Sequence, residues 1–218
     1  MSSELSDIVS KIKGTIALSF SYQAEDIVTL DLLLKTKAQD IEVFALDTLK
    51  HFQACKTYHK QVEDFYGINI KTYKPDQNAV DRLEIKLGEY GMRGSLEDRH
   101  LCCEIRKVKP LEIALQGRSA WVTGLRAAQS VTRANLQIVE CDAKYKLFKI
   151  APIASWSEKE VFDYISTHHL PLNELYSQGF KSIGCEPCTR AVKEGEDVRA
   201  GRWWWENPEH KECGLHIK

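Results

Sequence analysis

The sequence predicts a doubly wound α/β fold with a mostly parallel sheet. Residues 15–20 have the pattern of a short buried strand, and residues 41–46 and 68–73 are predicted to form the second and third strands. Segments with helical periodicity separate them, at residues 25–37 and 52–66. Strands that alternate with helices favour parallel pairing through right-handed crossover connections.

The first two helices have recognisable ends. Acidic residues Glu25 and Asp26 occupy the first turn of the earlier helix, where the helix dipole favours negative charge. Gly67 follows the second helix and is typical of a helix C-terminus. A further helix is expected to begin near Cys103, and Pro110 is expected to kink or split it.

The pattern continues less regularly in the second half of the chain. Trp121 and Val122 are predicted to form a fourth strand, and residues 138–141 and 147–150 to form later strands. Residues 157–160 have the spacing of a capping box, which predicts a helix running from there towards residue 168.

Glycines and prolines punctuate the sequence after about residue 171, and no repeat or second strand–helix pattern follows. We therefore expect one α/β domain over residues 1–200. The irregular end of the chain, residues 201–218, is expected to be a mobile tail.

Composition excludes several classes of function. The 218 residues carry 30 Lys and Arg against 31 Asp and Glu, a formal net charge of −1, so a basic surface for bulk nucleic-acid binding is not expected. No apolar run approaches the roughly 20 residues needed to span a bilayer. Residues 1–13 are polar and lack the apolar core of a signal peptide. We expect a cytoplasmic protein, in which seven cysteines indicate metal or redox chemistry.

Candidate ligand-binding residues follow the first two strands, where open α/β sheets bind their ligands. Ser19 and Ser21 lie in a loop that leads into a helix N-terminus, and such a loop can hold a phosphate. Asp47 and Thr48 follow the second strand and are placed to bind a ribose or a base edge. Taken alone, each of these two loops is better explained as an ordinary polar turn or helix cap.

A third candidate loop, residues 124–133, follows the fourth predicted strand. Its two arginines, Arg126 and Arg133, can each bind phosphate or sulfate oxygens through a guanidinium fork. A solvated basic loop is the alternative interpretation.

Four cysteines can supply the thiolates of one metal site. Cys102 and Cys103 are adjacent, and Cys185 and Cys188 form a CxxC pair. Four thiolates suit a structural zinc ion or a four-iron cluster. Adjacent cysteines reach one small tetrahedral ion with difficulty, whereas a cubane offers separate iron corners, but both metals remain open. Lys107 follows the pair and can offset its negative charge or face an anionic substrate.

Cys213 lies almost at the end of the chain, beyond the last predicted helix or strand. The neighbouring basic residues His210, Lys211 and His216 would favour its thiolate, which is the nucleophilic form. A stray surface thiol is the alternative. The remaining cysteines, Cys55 and Cys141, are expected to be small core residues.

Taken together, these motifs resemble those of the assimilatory adenylyl-sulfate reductases, relatives of the phosphoadenylyl-sulfate reductases. The resemblance extends from about residue 19 to the C-terminus. It rests on Cys102-Cys103-x-x-Arg106-Lys107, Cys185-x-x-Cys188 and Glu212-Cys213-Gly214-Leu215-His216, supported by Leu46-Asp47-Thr48 and Gly124-Leu125-Arg126…Gln129-Ser130…Arg133.

The resemblance implies an adenine nucleotide α-hydrolase-like fold of the PP-loop type, so that residues 1–200 would bind a nucleotide. It implies a [4Fe-4S] cluster held by Cys102, Cys103, Cys185 and Cys188. Lys107 would orient and polarise the substrate sulfate. The basic residues expected to bind the anion are Arg126, Arg133, Arg199 and Arg202.

The resemblance also implies a reaction. The Cys213 thiolate would attack the sulfur of adenosine 5′-phosphosulfate, release AMP and form S-sulfocysteine on the tail. Thioredoxin or a similar dithiol protein would then release sulfite by thiol exchange. This would make the chain a thioredoxin-dependent reductase of sulfate assimilation and cysteine biosynthesis, with neither a nucleic acid nor a membrane as a partner. A homo-oligomer is compatible with the sequence.

The sequence departs from the family pattern at Gln23 and Leu49, where glycines are usual, and at Ala127 and Ala128, which are often charged. These departures concern substrate preference more than the type of reaction. Three rivals remain. The first is the same reaction on 3′-phosphoadenylyl sulfate, the second an ATP-using ligase or tRNA thiolase that binds zinc, and the third a non-catalytic metal-binding module.

Overall fold

Six strands form one sheet in the computed structural model, which describes residues 2–129 and 133–207. In chain order they are β1 (Ile16–Ser19), β2 (Ile41–Leu46), β3 (Ile70–Tyr73), β4 (Ala120–Val122), β5 (Val139–Asp142) and β6 (Leu147–Ile150). They lie in the order β3-β2-β1-β4-β6-β5. All neighbours are parallel except β5 and β6. The predicted doubly wound, mostly parallel sheet is confirmed.

Helices connect the strands. They are α1 (Ser2–Ser10), α2 (Ala24–Lys35), α3 (Gln53–Tyr66), α4 (Gln77–Leu87), α5 (Leu96–Cys103), α6 (Lys109–Leu115) and α7 (Glu158–Thr167). Within the described part of the chain, none of them has both the length and the apolar character of a membrane-spanning helix. After α7 the chain is irregular, with only 3₁₀ turns at Glu174–Gln178 and Glu186–Cys188 in the described residues.

Several predicted elements are confirmed in detail. β2 has the predicted bounds, and α3 ends at Gly67, whose φ of +63° is the left-handed conformation that glycine adopts without strain. The Ser157 hydroxyl accepts a hydrogen bond from the Glu160 N–H, and the Glu160 carboxylate accepts one from the Ser157 N–H. This is the predicted capping box at the start of α7.

The helix that carries Cys102 and Cys103 differs from the prediction. It begins at Leu96, capped by the Ser95 hydroxyl, and not near Cys103. A π-helical turn, Glu104–Val108, joins α5 directly to α6. Pro110 lies in the first turn of α6, immediately after this π turn, where its missing N–H is tolerated. The helix is therefore remodelled beside the cysteine pair, and π turns of this kind often mark functional sites.

The last two strands form an antiparallel hairpin because only four residues, 143–146, connect them, too few for a parallel crossover. Cys141 lies on β5 and is exposed, so its prediction as a core residue is wrong. Cys55 on α3 is fully buried, as predicted.

The strand order places a topological switch point between β1 and β4. The chain proceeds from β1 to β2 and β3 on one side of the sheet, and β4 pairs with the other side of β1. Loops that leave β1 and β4 therefore diverge and leave a crevice at the carboxyl ends of these strands.

Candidate functional site

A cleft opens at this switch point. The loops after β1, β2 and β4 line it, together with residues 181–184 and residues 198–203. All the predicted substrate-binding residues except Asp47 lie along it, namely Ser19, Ser21, Thr48, Lys107, Arg126, Arg133, Arg199 and Arg202. The fold thus brings together side chains from distant parts of the sequence, and five of these eight predicted residues are basic.

The loop after β1 is held by the carboxylate of Asp26. One oxygen of this carboxylate, Oδ2, accepts hydrogen bonds from the Ser21 N–H at 2.7 Å, the Ser21 hydroxyl at 2.6 Å and the Gln23 N–H at 3.2 Å. Burial raises the pKa of Asp26 to about 7, although these three hydrogen bonds oppose the rise. The loop is therefore shaped by its own acidic residue at the start of α2.

Gln23, which stands where a glycine is usual in the family that the sequence resembles, connects this loop to the segment before Cys185. Its Oε1 accepts hydrogen bonds from the Ser182 hydroxyl at 3.2 Å and the Ile183 N–H at 3.4 Å. The glutamine thus ties two walls of the cleft to each other.

Asp47 and Thr48 have different surroundings although they are adjacent. The Asp47 carboxylate accepts a hydrogen bond from the Leu49 N–H at 2.9 Å and does not line the cleft. Thr48 is 1% exposed, and its hydroxyl lies 3.2 Å from the Cys185 Sγ. Leu49 has a φ of +59°, the left-handed region that explains why glycine suits this position.

Arg126 is buried and already paired. Its Nε and Nη2 donate to the Glu25 Oε1 at 3.0 and 2.6 Å, and its Nη1 donates to the Trp156 carbonyl at 3.3 Å. Gly124 permits the close approach of this loop to α2, because a Cβ there would lie 2.8 Å from the Asp26 Oδ1 and 2.9 Å from the Glu25 Cβ. Arg126 therefore supports the cleft wall, whereas Arg133, bonded to the Gln129 Oε1 at 2.6 Å, is only partly buried.

A second, smaller cavity lies beside the cleft, and all four predicted metal-ligating cysteines line it: Cys102, Cys103, Cys185 and Cys188. Cys102 and Cys103 come from the end of α5, and the CxxC pair comes from the 3₁₀ turn Glu186–Cys188 and the residue before it. Basic residues surround these thiols, namely Lys50, Arg99, Arg106, Lys107 and Arg202. Throughout the described residues, no three His, Cys, Asp or Glu side chains are grouped as a metal-ion site.

The chemistry of this cavity fits an anionic sulfur-rich group. Arg106 and Arg202 are 3% and 6% exposed, and no acceptor in the described part of the chain bonds to the Nε of either. Burial and the nearby Cys185 raise the pKa of Cys188 to about 12 and raise that of Cys102. A bound metal centre would have to supply positive charge among these thiols to keep them as thiolates. The donor set and the two orphaned buried donors together match what a thiolate-ligated cluster requires.

The cleft and the thiol cavity share a wall. Three side chains line both spaces: Lys107 from the π turn, and Arg202 and Trp203 from the segment after the CxxC pair. A group bound in the cleft would therefore be separated from the four thiols by two cations and one aromatic ring.

Trp203 is held firmly in this wall. It is 1% exposed, and its ring lies 4.5 Å from the Arg202 guanidinium and 4.6 Å from that of Arg99, close enough for cation–π attraction. Its φ of +42° is unusual for a bulky residue. The Trp203 N–H donates to the Cys188 carbonyl at 3.2 Å, so this backbone is fixed directly to the CxxC turn.

His51 and Lys181 are among the cleft residues that were not predicted from the sequence. His51 lies five residues after β2, and burial together with the charge of Lys107 lowers its pKa to about 4, so it is neutral near pH 7. Lys181 is an exposed cation four residues before Cys185. Their closeness in sequence to Thr48 and to the CxxC pair is the signal that could have indicated them.

Some predicted residues lie outside the described part of the chain. They are the nucleophile candidate Cys213 and residues 130–132 of the third loop. Residues 201–203 belong to the segment predicted as the tail, and they are buried.

Comparison with known proteins places these features in a family. Residues 15–191 match the model of the phosphoadenosine phosphosulfate reductase domain. The adenosine 5′-phosphosulfate reductase of Allochromatium vinosum is 47% identical over 98% of this chain and 83% of its own length. That of Neisseria meningitidis serogroup B is 45% identical over 90% of this chain and 80% of its own length.

Solved structures agree on the fold. The phosphoadenylyl-sulfate reductase of Candida auris, in a phosphate complex, has a TM-score of 0.70 at 25% identity, covering 88% of this chain and 90% of its own. The FMN adenylyltransferase of Candida glabrata in complex with ATP has a TM-score of 0.60 at 15% identity, covering 97% of this chain and 74% of its own. The second likeness concerns the fold alone.

Proposed function

The chain belongs to the phosphoadenosine phosphosulfate reductase family, and from this premise we propose that it reduces adenosine 5′-phosphosulfate to sulfite and AMP. The supporting relatives are named adenosine 5′-phosphosulfate reductases and are matched over most of their length. In this role the chain is a cytoplasmic oxidoreductase of sulfate assimilation and cysteine biosynthesis.

One structural observation carries the proposal. A cation-lined cleft at the switch point shares the wall of Lys107, Arg202 and Trp203 with a cavity lined by four thiols. Nucleotides bind at such switch points, and the cations suit the two negative charges of a phosphosulfate. The nucleoside would lie towards the loops after β1 and β2, and the sulfo group towards the shared wall.

The first chemical step uses the Cys213 thiolate. Its Sγ attacks the sulfur of the sulfo group, a new S–S bond forms, and the bond from sulfur to the bridging phosphate oxygen breaks. AMP leaves with that electron pair on its phosphate. Lys107, Arg199 and Arg202 line the cleft where this negative charge develops, so they would stabilise it. The product on the enzyme is S-sulfocysteine.

The second step needs a dithiol protein, for which thioredoxin is our proposal. One donor thiolate attacks the Cys213 Sγ, the bond to the sulfo group breaks, and sulfite leaves with the electron pair. The second donor thiol then resolves the mixed disulfide and restores the Cys213 thiolate. The donor dithiol supplies both electrons and becomes a disulfide.

Cys102, Cys103, Cys185 and Cys188 would hold a [4Fe-4S] cluster, as the four-thiol cavity and its orphaned arginine donors support. When bound, such a cluster would supply a fixed electrostatic field at the shared wall. Arg106 lines the thiol cavity and donates to the Thr48 carbonyl at 2.9 Å, and the Thr48 hydroxyl lies 3.2 Å from the Cys185 Sγ. The cation Lys107 follows Arg106 on the π turn.

Three single variants test the proposal in a sulfite-release assay with adenosine 5′-phosphosulfate and reduced thioredoxin. Cys213→Ser should release no sulfite while keeping its iron and its nucleotide binding, because the nucleophile is not a ligand. Cys185→Ser should lose both iron and activity. Cys141→Ser, which alters an exposed thiol on the edge strand β5, serves as the matched control and should behave as wild type. Normal turnover by Cys213→Ser would overturn the mechanism.

The substrate itself is tested by a parallel assay with 3′-phosphoadenylyl sulfate, because the solved relative in Candida auris is a phosphoadenylyl-sulfate reductase. We expect a preference for the substrate without the 3′-phosphate. Iron and zinc analysis of the same anaerobic preparation decides the metal. Zinc without iron in an active protein would refute the cluster assignment.

A further inference from the structure

Arg93 lies outside the cleft and belongs to no motif identified in the sequence. It ends a 3₁₀ turn, Gly91–Arg93, between α4 and α5. Its Nη2 and Nε both donate to the Pro187 carbonyl, at 2.6 and 3.2 Å. Pro187 is the residue between the two cysteines of the CxxC turn that directly precedes Cys188. Arg93 therefore binds the backbone of the turn that carries the Cys185 and Cys188 thiols.

The same guanidinium contacts three aromatic rings. It lies 5.0 Å from the ring of Tyr90, 4.8 Å from that of Trp204 and 5.1 Å from that of Trp205. All three distances lie within the range of cation–π attraction. One planar cation thus joins the CxxC turn to the tryptophan segment that follows Trp203.

The turn that presents Arg93 also reaches the thiol cavity. Met92 is 5% exposed, lines that cavity and packs with Cys102, Cys188 and Trp203. Its neighbour Arg93 is exposed and acts on the outer side of the CxxC turn. The 3₁₀ turn therefore contacts the thiol cavity through Met92 and the outer side of the CxxC turn through Arg93.

Trp205 lies eight residues before Cys213 in the sequence, and the described chain ends at residue 207. Eight residues, fully extended, span at most about 28 Å. The point at which Trp204 and Trp205 are fastened therefore limits where the Cys213 thiol can arrive. Loss of the contact between Arg93 and these rings would misplace the nucleophile. A misplacement of about 1 Å can cost roughly 100-fold in rate.

We propose that Arg93 is a positioning residue that fastens Trp204 and Trp205 to the CxxC turn and so limits the region from which Cys213 can reach the cleft. The inference rests on the proposed function for its kinetic consequence, whereas the fastening itself concerns the protein without substrate. Arg93→Ala removes both the hydrogen bonds and the cation. Arg93→Lys keeps the charge and one donor but loses the planar fork.

Two measurements test the proposal, with Arg82→Ala on the exposed face of α4 as the matched control. The first, without substrate, follows tryptic cleavage after Arg202, which is 6% exposed, together with acrylamide quenching of tryptophan fluorescence. Arg93→Ala should raise the cleavage rate at least about tenfold and increase the quenching, because the rings of Trp204 and Trp205 lose their contact with the guanidinium and become more accessible. Arg93→Lys should fall between Arg93→Ala and wild type.

The second measurement is a single turnover with adenosine 5′-phosphosulfate and no dithiol, following AMP release. Arg93→Ala should form S-sulfocysteine about tenfold or more slowly, with substrate affinity within about twofold of wild type and partial rescue by Arg93→Lys. Cleavage and quenching equal to those of Arg82→Ala would overturn the fastening. Faster cleavage with an unchanged single turnover would overturn the positioning role.

The outcomes also separate this inference from the proposed function. A wild-type protein that forms no S-sulfocysteine would refute the function, and the cleavage rates would still decide the fastening. If Arg93→Ala does not fold, Arg93→Lys carries the test alone. A lysine variant indistinguishable from wild type in both measurements would then overturn the proposal.

Discussion

Replacing Glu25 with alanine tests whether a buried ion pair supports the cleft. The Glu25 and Arg126 side chains are 11% and 4% exposed, and a single carboxylate oxygen accepts two hydrogen bonds from the guanidinium. Without Glu25 the buried guanidinium would keep, among the described residues, only its 3.3 Å hydrogen bond to the Trp156 carbonyl. Leaving one charge of a buried pair uncompensated costs about 3–5 kcal/mol.

The exposed pair Lys159–Asp163 on α7 provides the matched control. Its side chains are 82% and 60% exposed. Asp163→Ala should therefore lower the free energy of unfolding by about 0.5 kcal/mol or less, since exposed pairs on a helix contribute little. Both variants lose one carboxylate from an ion pair, so the difference between them isolates burial.

The assay is urea unfolding of the metal-free protein near pH 7, with a thermal scan beside it. In a domain of this size each kcal/mol lowers the melting temperature by about 2–4 °C, so Glu25→Ala should melt roughly 10 °C below wild type. A Glu25→Ala loss of about 1 kcal/mol or less, equal to that of Asp163→Ala, would refute the interpretation of Arg126 as a buried, paired support.

Two further predictions concern the loops after β1 and β2. The pKa of Asp26 is raised from 3.8 to about 7, so the folded state binds the extra proton between these values. The unfolding free energy of wild type relative to Asp26→Asn should therefore fall as pH rises from about 4 to about 7 and then level off; a difference independent of pH would contradict this. Leu49, with its φ of +59°, should gain about 0.5–1 kcal/mol on replacement by glycine, whereas Leu49→Ala keeps the Cβ and should gain nothing in the same denaturation assay.

Much of the sheet could be predicted because its signals are local. β1 and β2 are short, mostly apolar runs, and the helices between the strands have their own start or stop residues, such as Gly67 after α3. The grouping of Ser19, Thr48 and Arg126 at one edge of the sheet also followed, because parallel strands all end at that edge.

The π turn at Glu104–Val108 could not be predicted, because helical periodicity does not distinguish a locally widened turn from an α-helix. This turn matters to the site because it carries Lys107, which lines the cleft, and Arg106, which bonds to Glu84 and Thr48. The exposure of Cys141 was missed because the edge position of β5 follows from the strand order, which the local sequence does not show.

Contacts between distant residues were also beyond the sequence. Arg126, predicted to bind the substrate anion, lines the cleft, and its guanidinium also pairs with Glu25, 101 residues away. Nothing in either local sequence indicates that partner. Arg93 donates a hydrogen bond to the Pro187 carbonyl, 94 residues away, and neither local sequence indicates this contact.

The central claim is that Cys213 takes the sulfo group from adenosine 5′-phosphosulfate. Its most direct test is the intact mass of the anaerobically purified protein after incubation with this substrate and no dithiol, followed by peptide mapping. We predict a mass gain of one sulfo group, located on Cys213, with one AMP released per chain. A sulfo group on another cysteine, or AMP released without any gain in mass, would contradict the account.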